Sequence, residues 1–350
     1  MNNTYLTEAR SLVATHLADY VDDARRTTLT FQPWGDDVAR RLTEYALRGK
    51  LIRGALVGFA YRLFRATETM PPACMQAGVA MELLQSFLLI HDDIMDQDEL
   101  RRGGPAIHSQ YRAAAPDHAG AAQYGLSLGI CAGDISAFLA MERLSTMEAE
   151  DQVRNRLLTL VAREISLVGL AQMQDVHHGY VDHAEDTDIL NVYTYKTGRY
   201  TFSLPLMIGA ILAGADDAAV EGLARFGECA GRIFQIRDDQ LGLFGTGDEI
   251  GKPEGSDIRE DKKTPFRNAL MKRLPKDSPV RDAFGATSLT SAERAAVRDA
   301  VEYYGIQAAV DAEVARDERS ARAEIAALEL SADGTRALEE LLEYNLNRTV

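Results

Sequence analysis

Three observations predict an all-α fold. Apolar residues recur at spacings of three and four along almost every segment, sustained two-residue alternation is hard to find, and the breaks between periodic segments are short. The expected architecture is a single large helical bundle forming one domain over residues 1–350. The first helix, Tyr5 to Thr28, carries Glu8, Arg10 and Asp19 inside its apolar pattern, which leaves no uninterrupted signal-peptide core. Helices at Asp37 to Leu47 and Ile52 to Arg65 follow, and Pro71-Pro72 punctuates the chain before Pro72 to Asp98. Gly103-Gly104-Pro105 separates that helix from Gly120 to Thr146. The pattern then gives Gln152 to Val176, Asp186 to Thr197, Phe202 to Ala213 and Ala218 to Phe244. Beyond the punctuation at Pro275 to Pro279 come Ser291 to Tyr303, Ile306 to Leu328 and a last helix before Val350. The most polar interruption, Gly245 to Thr264, has no core-forming pattern and reads as a solvated loop or a lid over a charged ligand.

Composition narrows the function. With 46% apolar and 26% charged residues, the chain can build a sizeable core and is neither disordered nor fibrous. The 38 Lys and Arg against 53 Asp and Glu give a net charge of −15, which argues against an unaided grip on nucleic acid or anionic membrane. Cys74, Cys131 and Cys229 lie far apart without a CxxC, so neither a disulfide framework nor a structural zinc site is signalled, and a cytoplasmic location fits. The most apolar stretches, Met81 to Ile90 and Phe202 to Ala215, are shorter than the roughly 20 residues that span a bilayer, so no stable membrane insertion is expected.

Two segments carry chemistry. In Leu83 to Asp96, LLQSFLLIHDDIMD, an apolar stripe runs directly into Asp92, Asp93 and Asp96. Helical spacing stacks Asp92 and Asp96 on one face with Asp93 adjoining, so their oxygens can converge. Left alone they repel, and a divalent cation removes that penalty. Magnesium commonly takes one or two carboxylates and keeps its remaining positions for water and phosphate oxygens. In Phe234 to Asp239, FQIRDD, a second apolar helix delivers Asp238 and Asp239. Two such clusters suggest a metal-bridged clamp on one polyanionic ligand. Cations stand beside them: Arg101 and Arg102 after the first cluster, Lys50 and Arg53 in GKLIRG, Lys196 in YKTGRY, Lys252 and Lys262 in the polar loop. His177, His178 and His183 match no ligand spacing and read as structural or surface groups, and Met75 and Met81 read as core filler.

The sequence resembles the trans-isoprenyl diphosphate synthases, or polyprenyl synthetases. The matching elements are GKLIR at 49–53, QSFLLIHDDIMDQDELRRGGPAIH at 85–108, AQMQD at 171–175, KTG at 196–198, FQIRDDQLG at 234–242 and GKPEGSDIREDKKT at 251–264. The resemblance implies the type I isoprenoid synthase fold with a central cavity, a homodimer, and about three magnesium ions on the allylic diphosphate. Asp92, Asp93, Asp96, Asp238 and Asp239 match the metal ligands, with Asp175 supporting them through water. Arg101, Lys196, Lys252 and Lys262 match contacts to the allylic diphosphate, and Lys50, Arg53, Gln85 and Arg102 match the isopentenyl diphosphate site. Lys196, Thr197 and Gln235 match groups whose dipoles face the allylic carbocation. Three positions depart from the family pattern: Gly242 replaces a third aspartate, Leu51 replaces an arginine and Ala171 replaces a glycine.

The implied reaction is magnesium-dependent head-to-tail condensation of isopentenyl diphosphate with dimethylallyl, geranyl or farnesyl diphosphate. Product length is expected to follow the turns before Asp92, where Leu88, Phe87, Leu84 and Leu83 lie. One helix turn advances about 5.4 Å, close to one isoprene unit. Phe87 five positions before the first aspartate, with Leu88 beside it, resembles geranylgeranyl diphosphate synthases and favours an all-trans C20 product. The alternatives are a farnesyl or longer-chain synthase, a non-catalytic subunit of a heteromeric synthase, motivated by Gly242 and Leu51, and a class I terpene cyclase.

Overall fold

The computed structural model describes residues 4–65, 69–244 and 255–348. Its first helices are α1 (Thr4–Thr27), α2 (Trp34–Leu47), α3 (Ile52–Phe64) and α4 (Pro72–Met95). A two-stranded antiparallel hairpin, β1 (Leu100–Arg101) with β2 (Gly104–Pro105), leads to α5 (Ile107–Ala113), α6 (Ala121–Ser145) and α7 (Asp151–His178). Then come α8 (Asp186–Val192), a π-helix (Tyr193–Ser203), α9 (Leu204–Leu212) and α10 (Asp217–Phe244). The remaining helices are α11 (Ser256–Arg259), α12 (Pro265–Arg273), α13 (Pro279–Asp282), α14 (Ser291–Tyr303), α15 (Ile306–Ala327) and α16 (Ala332–Leu346). The expected all-α class holds. The chain packs as two compact units, an N-terminal one of Asn2–Val161 with Pro205–Val220 and a C-terminal one of Ala162–Leu204 with Glu221–Val350.

In the N-terminal unit α4 is the central helix, packed against α1, α2, α3 and α6. It is apolar almost all round, the pattern of a core helix, with Met75, Met81, Leu83 and Leu84 all buried. Pro72 starts it with φ already set for a helix. The helix expected to reach Asp98 stops at Met95. The Asp96 N–H closes the last turn on the Asp92 carbonyl at 2.8 Å, and Gln97 then turns left-handed with φ +58°.

The expectation that no segment reaches bilayer-spanning length needs correction, because α4 and α6 both do so by length and composition. In α4, 83% of the most apolar window is buried inside the protein, whereas in α6 only 39% is. Alanine and glycine in α6 carry the apolar character over a long helix without a dense run of large side chains.

In the C-terminal unit, the break expected near Gly198 is no break. The chain runs from α8 through the π-helix into α9, because i→i+5 hydrogen bonding absorbs the irregularity. The polar interruption ends at α11 and α12, which the periodicity did not suggest. A local signal was present: Thr264 caps α12, its side chain accepting the Arg267 N–H at 3.1 Å, with Pro265 at the first helical position. Thr290 and Glu293 form a capping box that starts α14 where the sequence places it.

Candidate active site

In the N-terminal unit the apolar face of α4 anchors the helix and carries its last turn, with Asp92, Asp93 and Asp96, to the edge of the core. The three aspartates do not behave alike. Asp96 is exposed, Asp92 lies one turn back on the same face and is half-buried, and Asp93 is fully buried. Tyr45 of α2 donates its hydroxyl to Asp93 Oδ2 at 2.8 Å, and Arg101 donates Nε to Asp93 Oδ1 at 2.5 Å. Burial pushes the Asp93 carboxyl up, opposed by the Arg101 charge and the Tyr45 hydrogen bond. Arg101 also reaches Asp98 at 3.0 Å and Asp92 at 3.7 Å, so this cation bridges three carboxylates.

Sequence around the hairpin explains how Arg101 and Arg102 are presented. Arg102 and Gly103 form a two-residue turn with φ of +53° and +72°, the left-handed pair of a tight hairpin. Arg102 lies across Gly49, where a Cβ would overlap its guanidinium. Gly49 thereby leaves room for Arg102 beside Lys50, which is exposed, while Leu51 is left-handed with φ +49° and starts α3. Glu82 is fully buried, and its Oε1 accepts the Gly54 N–H at 2.7 Å. Burial pushes the Glu82 carboxyl up, and the Gly54 hydrogen bond and then the charges of Arg53 and Arg102 oppose that rise. The chain thus brings Lys50, Arg53 and Arg102 to the neighbourhood of one buried carboxylate. Gln85, three residues along α4 from Glu82, is buried with no hydrogen-bond partner for its side-chain oxygen among the described residues.

Gly49→Ala is expected to displace the Arg102 guanidinium without unfolding the protein, since the overlap is with the end of a flexible side chain. KM for isopentenyl diphosphate should rise about tenfold with kcat nearly unchanged, about 1.4 kcal/mol of uniform binding. Initial rates against varied isopentenyl diphosphate check this; an unchanged KM would exclude Arg102 from that site.

The C-terminal unit holds the second cluster. Asp238 is half-exposed and accepts from Arg348 at 3.1 Å, while the Arg348 guanidinium lies 3.9 Å from the Phe234 ring centre. Asp239 is fully buried, with Tyr193 donating to its Oδ2, Gln235 donating to its Oδ1 at 3.1 Å and Lys262 at 3.4 Å. Burial raises the Asp239 carboxyl to about 6 despite Lys262, with Asp257 adding to the rise. Thr197 donates to Gln235 Oε1 at 3.0 Å, so Thr197, Gln235, Asp239 and Tyr193 form one chain of hydrogen bonds. Lys196 pairs with Asp175 at 2.7 Å. Of the adjacent lysines, Lys262 faces the cluster and Lys263 is buried against Asp261. Lys252 lies outside the described residues.

The crossing of the π-helix and α10 creates this chain. A Cβ on Gly231 would overlap the backbone of Gly198, and one on Gly227 would crowd Ser203. The glycines let the two helices touch, which puts Thr197 and Tyr193 within reach of Gln235 and Asp239.

Among the described residues no three His, Cys, Asp or Glu side chains form a closed metal cage. The donor chemistry nevertheless fits magnesium. Both clusters offer hard carboxylate oxygens, and a magnesium ion that keeps several waters needs only one or two of them. His178 is buried and bonded to Gln174, and His177 and His183 are exposed.

Residues 36–303 match the polyprenyl synthetase family. The chain belongs to that family. It is 34% identical to a geranylgeranyl diphosphate synthase of Sulfolobus acidocaldarius over 236 residues, 66% of this chain and 67% of the relative. It is 35% identical to a geranylfarnesyl diphosphate synthase of Natronomonas pharaonis over 204 residues, 58% of this chain and a little over half, 56%, of the relative. A solved geranylgeranyl pyrophosphate synthase from Corynebacterium glutamicum, complexed with isoprenyl diphosphate and magnesium, superposes with a TM-score of 0.89 at 25% identity, covering 98% of this chain and 99% of that one. The isoprenoid synthase fold and the trans-prenyltransferase class expected from the motifs therefore stand.

In this polyprenyl synthetase, sequence reading missed Tyr45, Glu82, Tyr193 and Arg348. Each meets a motif residue from elsewhere in the chain or from an unremarked helix position. The local signal available was the Tyr-x-x-Lys-Thr-Gly spacing at 193–198, which puts Tyr193 on the segment that carries Lys196 and Thr197.

Proposed function

We propose that this protein condenses isopentenyl diphosphate with a shorter allylic diphosphate to give all-trans geranylgeranyl diphosphate. The observation that carries the reading is that each unit of a polyprenyl synthetase chain presents an apolar helix ending in paired aspartates, one buried and one accessible, with cations beside them. The proposed metal ligands are Asp92, Asp93, Asp96, Asp238 and Asp239, with Asp175 acting through water. Magnesium, when bound, supplies positive charge that binds the allylic diphosphate and favours its departure. The two units together are proposed to form the single catalytic domain.

The protein's own groups carry the remaining work. Arg101, Lys196, Lys252 and Lys262 neutralise the pyrophosphate as the allylic carbon–oxygen bond breaks and its electron pair leaves with oxygen. Thr197 and Gln235, fixed by their mutual hydrogen bond, direct oxygen dipoles toward the allylic cation. Lys50, Arg53, Gln85 and Arg102 hold isopentenyl diphosphate while its double bond attacks that cation. The proton then lost goes to the departing pyrophosphate, so no strong protein base is needed.

For product length, Leu84 is buried in α4, whereas Phe87 and Leu88 are half-buried one turn before Asp92. The Phe87 ring stands edge-on to His91, with centroids 4.8 Å apart. We assign Phe87 as the floor of the chain-length channel, with Leu88 and Leu84 lining it. Phe87→Ala should lengthen the main product by about one isoprene unit, as one helix turn is about 5.4 Å. An unchanged product distribution, read by chromatography, would reject that assignment. The likeness to a geranylfarnesyl diphosphate synthase favours C25 as the second reading.

The deciding assay uses purified protein, magnesium and labelled isopentenyl diphosphate with each allylic primer. A C20 diphosphate supports the proposal. A cyclic hydrocarbon from geranylgeranyl diphosphate alone would indicate a terpene cyclase, and no turnover would indicate a non-catalytic subunit.

A second copy of the chain is the proposed partner, and α6 its contact. Tyr124, Ile130 and Phe138 of that helix are exposed, Phe138 at 74%. Phe138→Glu should shift the protein from dimer to monomer in sedimentation; a monomeric wild type would remove the proposal. A cytoplasmic location completes the reading, in keeping with Cys74, Cys131 and Cys229 all being free thiols.

A further inference from the structure

The second aspartate-rich motif has Gly242 where the family pattern carries a third aspartate, and the structure shows what occupies the space. The Asp257 carboxylate lies where a Cβ on residue 242 would begin, with Oδ2 the nearest atom. Asp257 belongs to α11, beyond the polar interruption, and is half-buried. Its backbone carbonyl accepts the Lys262 N–H at 2.9 Å, which ties it to the lysine facing Asp239. It is also close enough for its charge to act on Asp239, Lys262 and Tyr193.

We propose that Asp257 supplies the carboxylate missing at Gly242, and that glycine is required at 242 to admit it. A motif usually completed one helix turn along α10 is here completed from a different element. The inference rests on the proposed prenyltransferase reading and concerns the same metal set. It explains why Gly242 need not mark an inactive subunit: the negative charge is relocated rather than lost. It also gives α11 a positioning role, since the segment that carries Lys262 brings the extra carboxylate with it.

The test counts manganese(II) bound to the full-length protein with inorganic pyrophosphate, by electron paramagnetic resonance, beside kcat. D257N should weaken the affected manganese site about tenfold or more, the range for losing a group that supports a metal. G242A, which adds no charge, should weaken it similarly by displacing the Asp257 side chain. The exchanged variant G242D/D257G should return binding to within about threefold of wild type, because the carboxylate regains a place and the space is vacated. Circular dichroism verifies the fold of each variant. Wild-type binding in D257N, wild-type binding in G242A, or a folded exchange variant that stays weak would each overturn the inference. Wild-type protein that binds no manganese with pyrophosphate would instead overturn the parent reading.

Discussion

Asp92→Asn is expected to lower kcat about a thousandfold, about 4 kcal/mol of transition-state stabilisation, with little loss of stability. Asp92 is half-buried at the end of α4, one turn before the exposed Asp96, and its printed ion pair to Arg101 is a long 3.7 Å. The substitution keeps the shape and removes the charge that would meet a hard cation and, through it, the diphosphate. Asp93 is the poorer choice for such a test. It is buried against Tyr45 and Arg101, so an amide there would leave two donors facing the wrong group and confound folding with chemistry. Rates at saturating substrate, with a thermal melt alongside, decide the matter. A kcat within tenfold of wild type would remove Asp92 from the proposed metal set.

Gly231→Ala should destabilise the protein by about 3 kcal/mol, at the upper end for overpacking, because the new Cβ would overlap backbone at Gly198 rather than a movable side chain. The same change should lower kcat beyond what the loss of folded protein explains. Pushing the π-helix from α10 lengthens the Thr197–Gln235 hydrogen bond, now 3.0 Å, and loosens the Tyr193 contact to Asp239. Urea midpoints read the first effect, and kcat per folded molecule reads the second. Wild-type stability in the variant would mean that the helices can part at no cost.

The parts of this site that lie within one or two helical turns were legible in the residues. Asp92 and Asp96 share a face by spacing alone, Asp238 and Asp239 are adjacent, and the apolar runs before both pairs say that a helix must carry them. The same reasoning failed between Asp186 and Leu212. It treated Gly198 as an interruption, whereas Gly198 is the point at which two helices touch, and periodicity along one segment holds no record of what packs against it. The helix at Pro265–Arg273 was missed although Thr264 and Pro265 mark its start, because the charged stretch before it hid the short apolar pattern.

The paired aspartates show where the division falls. By itself the sequence determined an all-helical chain, two acidic helix ends, and the cations and family motifs around them, because a period of about 3.6 residues fixes which neighbours share a face. It could not distinguish Asp92 from Asp93, or Asp238 from Asp239. Only the tertiary structure buried one of each pair, gave it a tyrosine hydroxyl from another element, Tyr45 or Tyr193, and set a cation, Arg101 or Lys262, beside it. It alone placed Asp257 in the space that Gly242 leaves. A buried carboxylate must find its donors wherever the folded chain brings them, and that is decided by contacts between elements rather than by order along the chain.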